Sequence, residues 1–167
     1  MTRRLAAWLS CALLLALAGC GFGLRQPVTF AFTSLYSGVA PNSPLGVELK
    51  RQLQSSGQLE YITDASRQQE AQAVLDILTE QRIKTVVGVS ATGQVREFQL
   101  RLILKFRLRT PQGKELIPET ELVQQRALSY DEVFALAKEA EEVLLYRNMQ
   151  SDMVQQILRR LAAVKEL

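Results

Sequence analysis

This chain of 167 residues carries 20 basic and 17 acidic side chains, a formal net charge of +3, and no histidine. The missing histidine removes the usual general base of Ser/His and Cys/His hydrolases and the commonest zinc ligand, so most enzyme classes lose their central residue. The small net charge gives little support for a polyanionic partner, and we predict no nucleic-acid binding.

The first predicted element is a signal peptide over residues 1–19. A basic start, Arg3-Arg4, precedes an apolar run over residues 5–15 that is too short to cross a bilayer as a helix. Small residues then lead to a cysteine in the sequence Leu17-Ala18-Gly19-Cys20. This pattern is a lipobox, in which the cysteine thiol receives a diacylglycerol group. We therefore predict cleavage before Cys20 and lipidation of Cys20.

Lipidation would anchor the protein without a transmembrane helix. Each buried methylene contributes about 0.8 kcal/mol and stable attachment needs more than one chain, which a triacylated Cys20 provides. Gly21 stands where an aspartate would retain an enterobacterial lipoprotein in the inner membrane, so we predict the periplasmic face of the outer membrane. The remaining residues 20–167 have the length of one domain, and lipidation leaves them no thiol for a disulfide.

A strand and then a helix are predicted at the start of this domain. Residues 28–36 are rich in β-branched and aromatic side chains, with Val28, Phe30 and Phe32 at period two, which predicts a strand. Ser43-Pro44 is a typical N-cap and first helical residue, and Gly57 is a typical stop. We therefore predict a helix over residues 44–56, with an apolar stripe at Leu45, Leu49 and Leu53.

Three consecutive strands are predicted next. Residues 59–62 can form a short extended piece, residues 64–72 stay unassigned, and residues 73–89 have a strand-like pattern with room for a bulge near Glu80. The following strand alternates strictly, with Ile103 as its single exception. Its apolar face contains Phe98, Leu100, Leu102, Leu104, Phe106 and Leu108, and its polar face contains Gln99, Arg101, Lys105, Arg107 and Arg109.

A hairpin and a long helix complete the predicted fold. The turn 111–114 leads to a strand over residues 115–128, where Pro118 indicates an edge position or a break. Ser129-x-x-Glu132 is a capping box, which predicts a long final helix. Its apolar stripe slips between Leu144 and Met153, and the stripe residues are Leu136, Ala140, Leu144, Met153, Ile157, Leu161 and Val164. The predicted fold is an α/β two-layer sandwich, in which two helices pack on one face of a four-stranded sheet in the order strand, helix, three-strand meander, helix.

The basic face of the long strand is the first candidate site. Its side chains lie about 7 Å apart at i, i+2 spacing and can hold several phosphates. The alternative is a solvated sheet face, or an edge that charge protects from aggregation. The acidic residues near the start of the last helix suit the helix macrodipole better than a metal site, so we predict neither a metal nor a cofactor; they are Asp131, Glu132, Glu139, Glu141 and Glu142.

The residues that follow the lipobox add a family resemblance. Cys20-Gly21-Phe22-Gly23-Leu24-Arg25 resembles the C-G-[FW]-x-L-R start of the LptE family, the lipopolysaccharide-assembly lipoproteins. The resemblance spans nearly the whole chain, and it continues through Leu45 to Leu53, Gly93 to Gln99, Ala135-Leu136-Ala137-Lys138-Glu139 and Gln156-Ile157-Leu158-Arg159-Arg160-Leu161.

This resemblance implies a fold, a partner and a ligand. Family members have two helices on one face of a four-stranded sheet, and they sit as a plug inside the outer-membrane β-barrel LptD, with which they place lipopolysaccharide in the outer leaflet. Lys138 falls where the family has a basic residue linked to lipopolysaccharide contact. Ala91-Thr92 departs from the family, since relatives can carry a basic residue there, and Arg96 would compensate. Gly23 replaces a frequent histidine.

The resemblance therefore predicts a non-enzymatic subunit of the lipopolysaccharide translocon. Its candidate lipopolysaccharide ligands are Arg101, Lys105, Arg107, Arg96 and Lys138. An outer-membrane lipoprotein that serves as a pilot or binding module for a different envelope assembly is the alternative, and it would show a different partner. A periplasmic hydrolase is a third hypothesis, which the absence of histidine weakens.

Overall fold

A computed structural model describes residues 29–55 and 59–167. The predicted signal peptide, Cys20, Val28 and the predicted helix end at residues 56–57 lie outside the described residues. The strands are β1 (Ser34–Ser37), β2 (Glu60–Ile62), β3 (Ala73–Val89), β4 (Val95–Arg109) and β5 (Glu115–Ser129). The helices are α1 (Pro44–Gln54) and α2 (Ala135–Ala163), with short 3-10 helices at Ala65–Glu70 and Glu132–Phe134.

The strands form one five-stranded mixed sheet in the order β2-β1-β3-β4-β5. The α/β class is confirmed, but the prediction of four strands is wrong, because β2 adds a fifth by pairing in parallel with β1. With only three residues, β2 is too short to show a strand period, and its pairing partner is far away in the sequence. The unassigned polar segment after β2 forms the first 3-10 helix.

The first strand is shorter than predicted. It begins at Ser34, because the Thr33 amide donates to the side-chain Oε1 of Gln72 (2.8 Å) instead of joining the ladder. Phe30 and Phe32 precede the strand, with their rings stacked 5.5 Å apart, and Phe32 is buried in the core. The period-two pattern that predicted the strand therefore lies in the segment before β1, where it reflects the burial of Phe32.

The three-strand meander is confirmed. β4 pairs with β3 and β5 in antiparallel registers, and Pro118 lies on the edge strand β5, where its missing N–H costs no ladder bond. The turn between β3 and β4 needs Gly93, whose φ of 80° is disfavoured for other residues. A register shift in β3 falls between Ile77 and Thr79, close to the predicted bulge.

Helix α1 begins as predicted. Ser43 is its N-cap and accepts a hydrogen bond from the Gly46 amide (3.0 Å), and Pro44 occupies the first turn. The predicted stripe is buried completely, as Leu45, Leu49 and Leu53 all face the sheet side of the helix. No helix in the described part of the chain combines the length and the apolar character that crossing a bilayer requires.

The predicted capping box at the start of α2 is wrong. Ser129 is still part of β5, where it pairs with Glu97, so it cannot cap a helix. Asp131 takes that role two residues later, and its side chain accepts a hydrogen bond from the Val133 amide (3.0 Å). The regular helix then starts at Ala135.

The second half of α2 packs on the sheet beside α1. Met149, Met153 and Ile157 are buried with the apolar face of β4 in one core. The first half behaves differently, because the predicted stripe residues Leu136 and Leu144 are 83% and 52% exposed. The slip predicted before Met153 therefore marks the point where α2 changes the face that it buries.

Candidate functional site

The sequence candidates lie on two separate surfaces. The first is the open face, the side of the β3–β5 meander that points away from both helices. Because side chains alternate along a strand, β4 buries Leu102 and Leu104 on the helix side and presents its odd-numbered residues on the open face. The open face therefore carries three of the five candidates, Arg101, Lys105 and Arg107.

The second surface is the distal end, which consists of residues 84–97 and 127–144. These segments meet because the Tyr130 amide donates to the Arg96 carbonyl oxygen (2.8 Å) and Lys84 Nζ lies 2.6 Å from Glu142 Oε2. The distal end carries the other two candidates, Arg96 and Lys138. The five cations therefore form two groups and no single site.

Arg107 on the open face is neutralised by an acidic residue from the neighbouring strand. Asp76 Oδ2 accepts hydrogen bonds from Nε of both Arg107 and Arg109, each at 2.8 Å. Burial raises the pKa of the Asp76 carboxyl, but the hydrogen bonds from Arg109 and Arg107 outweigh burial and hold that pKa below its usual value. Two of the four cations on the predicted basic face therefore already have an anionic ligand.

Lys105 is paired more loosely. Its Nζ lies 3.4 Å from Glu121 Oε2 and 3.8 Å from Glu119 Oε1, and all three side chains are more than a third exposed. Solvent-exposed pairs of this kind contribute little to stability, so a stronger anion can replace the carboxylates at small cost.

Arg101 is the exception on the open face. Its Nε is buried and has no hydrogen-bond partner among the described residues. The strand registers pair Arg101 with Ile83 and Gln125, and both neighbouring rows are uncharged. Those two rows are Thr85, Gln99 and Ala127 on one side, and Gln81, Ile103 and Val123 on the other. Arg101 is thus the single charge in three successive rows of the open face.

At the distal end, both candidate cations already have polar contacts. Lys138 Nζ donates to Glu141 Oε2 (2.8 Å) and Ser129 Oγ (3.0 Å), which leaves one of its three N–H donors. Arg96 lies near Asp131, with 3.9 Å between Nη1 and Oδ2. Nearby, Glu142 pairs with Lys84, so the acidic residues of this region serve as a cap and as ion-pair partners.

The distal end also holds a feature that the sequence analysis missed. Among the described residues, eight of the twelve exposed large apolar side chains lie there, which separates this end from the rest of the surface. The available signal was the slip in the α2 stripe, since a stripe that changes phase cannot bury both of its halves against one sheet. The eight are Val86, Val87, Val89, Val133, Phe134, Leu136, Val143 and Leu144.

Comparison with known proteins places the chain in a family. The LptE family model, described as "Lipopolysaccharide-assembly", matches residues 32–161, well over half of the chain. The chain belongs to the LptE family. The LPS-assembly lipoprotein LptE of Pectobacterium atrosepticum is 29% identical over 150 residues, which cover 88% of this chain and 79% of that protein.

Solved structures of two bacterial lipoproteins have a similar fold. The solution NMR structure of an uncharacterized lipoprotein B from Nitrosomonas europaea is 32% identical, with a TM-score of 0.71 over 86% of this chain and 91% of that one. The crystal structure of rare lipoprotein B from Shewanella oneidensis is 26% identical, with a TM-score of 0.63 over 78% of this chain and 92% of that one. The family resemblance read from the sequence is therefore confirmed.

Proposed function

We propose that this LptE-family chain is an outer-membrane lipoprotein that helps assemble lipopolysaccharide by binding and not by catalysis. Cys20 anchors it to the periplasmic face of the outer membrane after residues 1–19 are removed, and residues 20–167 act as one domain. Its partner is the β-barrel LptD, whose lumen it occupies as a plug. Family membership and the lipobox support this role.

The main support for lipopolysaccharide binding is the guanidinium of Arg101, which has no charged neighbour in the surrounding rows of the open face. A desolvated donor without a partner is costly, and an arginine can bind a phosphate through two parallel hydrogen bonds. A phosphate placed at Arg101 meets no carboxylate in the three surrounding rows. We assign Arg101 the leading contact with a lipid A phosphate, with Lys105 and Arg107 as neighbouring cations that exchange their carboxylate partners.

Lys138 and Arg96 form the second candidate group for lipopolysaccharide. Lys138 keeps one free donor, but the distal end around it is acidic, with three cations against six carboxylates and a net charge of −3. That field opposes a phosphate, so we place these two cations second to Arg101. The charged residues are Lys84, Arg96, Lys138, Glu97, Asp131, Glu132, Glu139, Glu141 and Glu142.

Charge reversal at Arg101 tests the ligand assignment. We expect Arg101→Glu to weaken binding of purified lipopolysaccharide at least about tenfold, because it removes charge-assisted hydrogen bonds and adds a repulsive charge. Arg159→Glu, the same change at an exposed position on α2, is the control and should bind as the wild type does. Binding can be measured by fluorescence displacement at low and high salt. Equal affinity of the two variants would remove Arg101 from the site.

Copurification tests the partner. We expect the full precursor with a C-terminal tag, purified in mild detergent from outer membranes of its native host, to bring down a large β-barrel in near-stoichiometric amount. A plug enclosed by a barrel dissociates slowly, so the complex should persist through a high-salt wash. Recovery of the lipoprotein alone would contradict the plug role, and an unrelated partner would support a different envelope assembly.

A further inference from the structure

We propose that the distal end is the docking surface for a protein partner, and that the partner presents an apolar contact area rimmed by basic side chains. This inference deepens the proposed function, on which it rests, because it assigns the surface with which the domain meets its partner protein. Three observations carry it: a water-facing apolar stripe on α2, an uncharged exposed strand edge beside it, and the acidic charge around both.

The apolar stripe on α2 is one-sided. Leu136, Ala140, Val143 and Leu144 recur at i, i+4, i+7 and i+8, so they lie on one face of the helix, and all four are exposed. The opposite face, including Lys138 and Glu142, lies against the sheet, where Glu142 pairs with Lys84. A helix normally turns its apolar stripe inward, so the reversed orientation over the first half of α2 indicates a surface that a partner covers.

The hairpin beside this helix is also apolar and lacks the usual protection of a strand edge. β1 pairs with β3 only as far as Leu75, so among the described residues no strand covers the later part of β3, where the Ile83 carbonyl accepts a hydrogen bond from the Tyr146 hydroxyl (2.9 Å). Residues 85–95 contain no charged side chain, and Val86, Val87 and Val89 are exposed. Exposed edges normally carry charge or proline, because an unguarded edge pairs with other chains.

Charge selects the kind of partner. Glu139 and Glu141 flank the α2 stripe on its two sides, and the distal end as a whole has a net charge of −3. A second copy of this chain would bring a second acidic surface against the first and would be repelled, and the same acidic field disfavours lipopolysaccharide phosphates as the main occupant of this end, where Lys138 and Arg96 rank second to Arg101. A protein surface with an apolar centre and a rim of Lys or Arg complements both features.

The test uses full-length protein in its native host and two matched double variants. Leu136→Ser with Leu144→Ser alters the distal stripe, and Val47→Ser with Leu78→Ser alters exposed apolar side chains elsewhere. We expect the distal variant to lose at least about tenfold of its copurified barrel, while the control variant keeps its barrel. Both should unfold at the wild-type temperature, since all four side chains are exposed.

Charge reversal and photo-crosslinking test the same surface in two further ways. Glu139→Lys with Glu141→Lys should reduce copurification, and a photo-crosslinker at position 136 should reach partner segments rich in Lys or Arg, while one at position 47 should not. Undiminished barrel recovery by the distal variant, or cross-links from position 136 to a second copy or to lipopolysaccharide, would overturn the inference. If wild-type protein recovers no barrel, the proposed function is wrong. If it recovers a different partner and the distal variant loses that partner, the distal end is still the docking surface.

Discussion

Replacing Phe106 by alanine is expected to lower the free energy of unfolding by about 3–5 kcal/mol. Phe106 is fully buried in the second half of β4, between Ile77 on β3 and Thr120 on β5. The packed helices cannot close the space that the ring leaves, so the loss includes a cavity cost as well as a transfer cost. Since a domain is stable by about 5–15 kcal/mol, this one change removes a large share. Denaturant unfolding followed by circular dichroism measures it.

Phe134→Ala is the matched control for this experiment. The same group is removed, but Phe134 is 60% exposed at the distal end, so the change in unfolding free energy should stay within about 0.5 kcal/mol. A comparable loss in the two variants would show that the distal end is buried in the isolated domain. That result would contradict the exposed surface described above, whereas a small loss for Phe106→Ala would contradict the core.

Gly46→Ala is expected to destabilise the domain by about 1–3 kcal/mol, although alanine normally stabilises a helix by about 1 kcal/mol over glycine. Gly46 lies in the first turn of α1, and a Cβ there would come within 2.3 Å of the Ala40 carbonyl oxygen. That oxygen is held in place, since it accepts hydrogen bonds from the amide (2.9 Å) and the hydroxyl (2.8 Å) of Ser43. The N-cap must therefore open to admit the methyl group.

Gly38→Ala separates this steric effect from a general effect of glycine. A Cβ at Gly38 would meet only the Tyr36 side chain, with the hydroxyl at an ordinary contact distance of 3.5 Å. We expect thermal unfolding of Gly38→Ala to match that of the wild type, while the midpoint of Gly46→Ala falls. A stabilised Gly46→Ala variant would show that the loop before α1 moves at little cost.

Local patterns were sufficient for most of the secondary structure. The strict alternation along β4 and the Ser43-Pro44 start of α1 are properties of adjacent residues, and both predictions are confirmed. The errors occur where pairing with a distant segment overrides the local signal. Ser129 has the spacing of a capping box, yet its ladder pairing with Glu97 keeps it in β5.

The candidate site shows the same division. The alternation identified the cations of β4, but it could not show how much of their charge is neutralised on the open face. Asp76, which pairs with Arg109, lies 33 positions away in the chain. The sequence also placed Lys138 at the start of the last helix without its contact to Ser129. Which cations stay available for a phosphate depends on these pairings, and they leave Arg101 as the isolated one.

The amino-acid sequence alone predicted the lipobox, and it determined the family, the meander and the buried stripe of α1, since each depends on residue types at short, regular spacing. Three features required the folded chain: the fifth strand, the neutralised basic face, and the outward stripe on the first half of α2. The physical reason is common to all three. An apolar stripe on a helix or a row of cations on a strand shows only that a side chain can be buried or paired. The packing of distant segments decides which side chains are buried and which cations are paired.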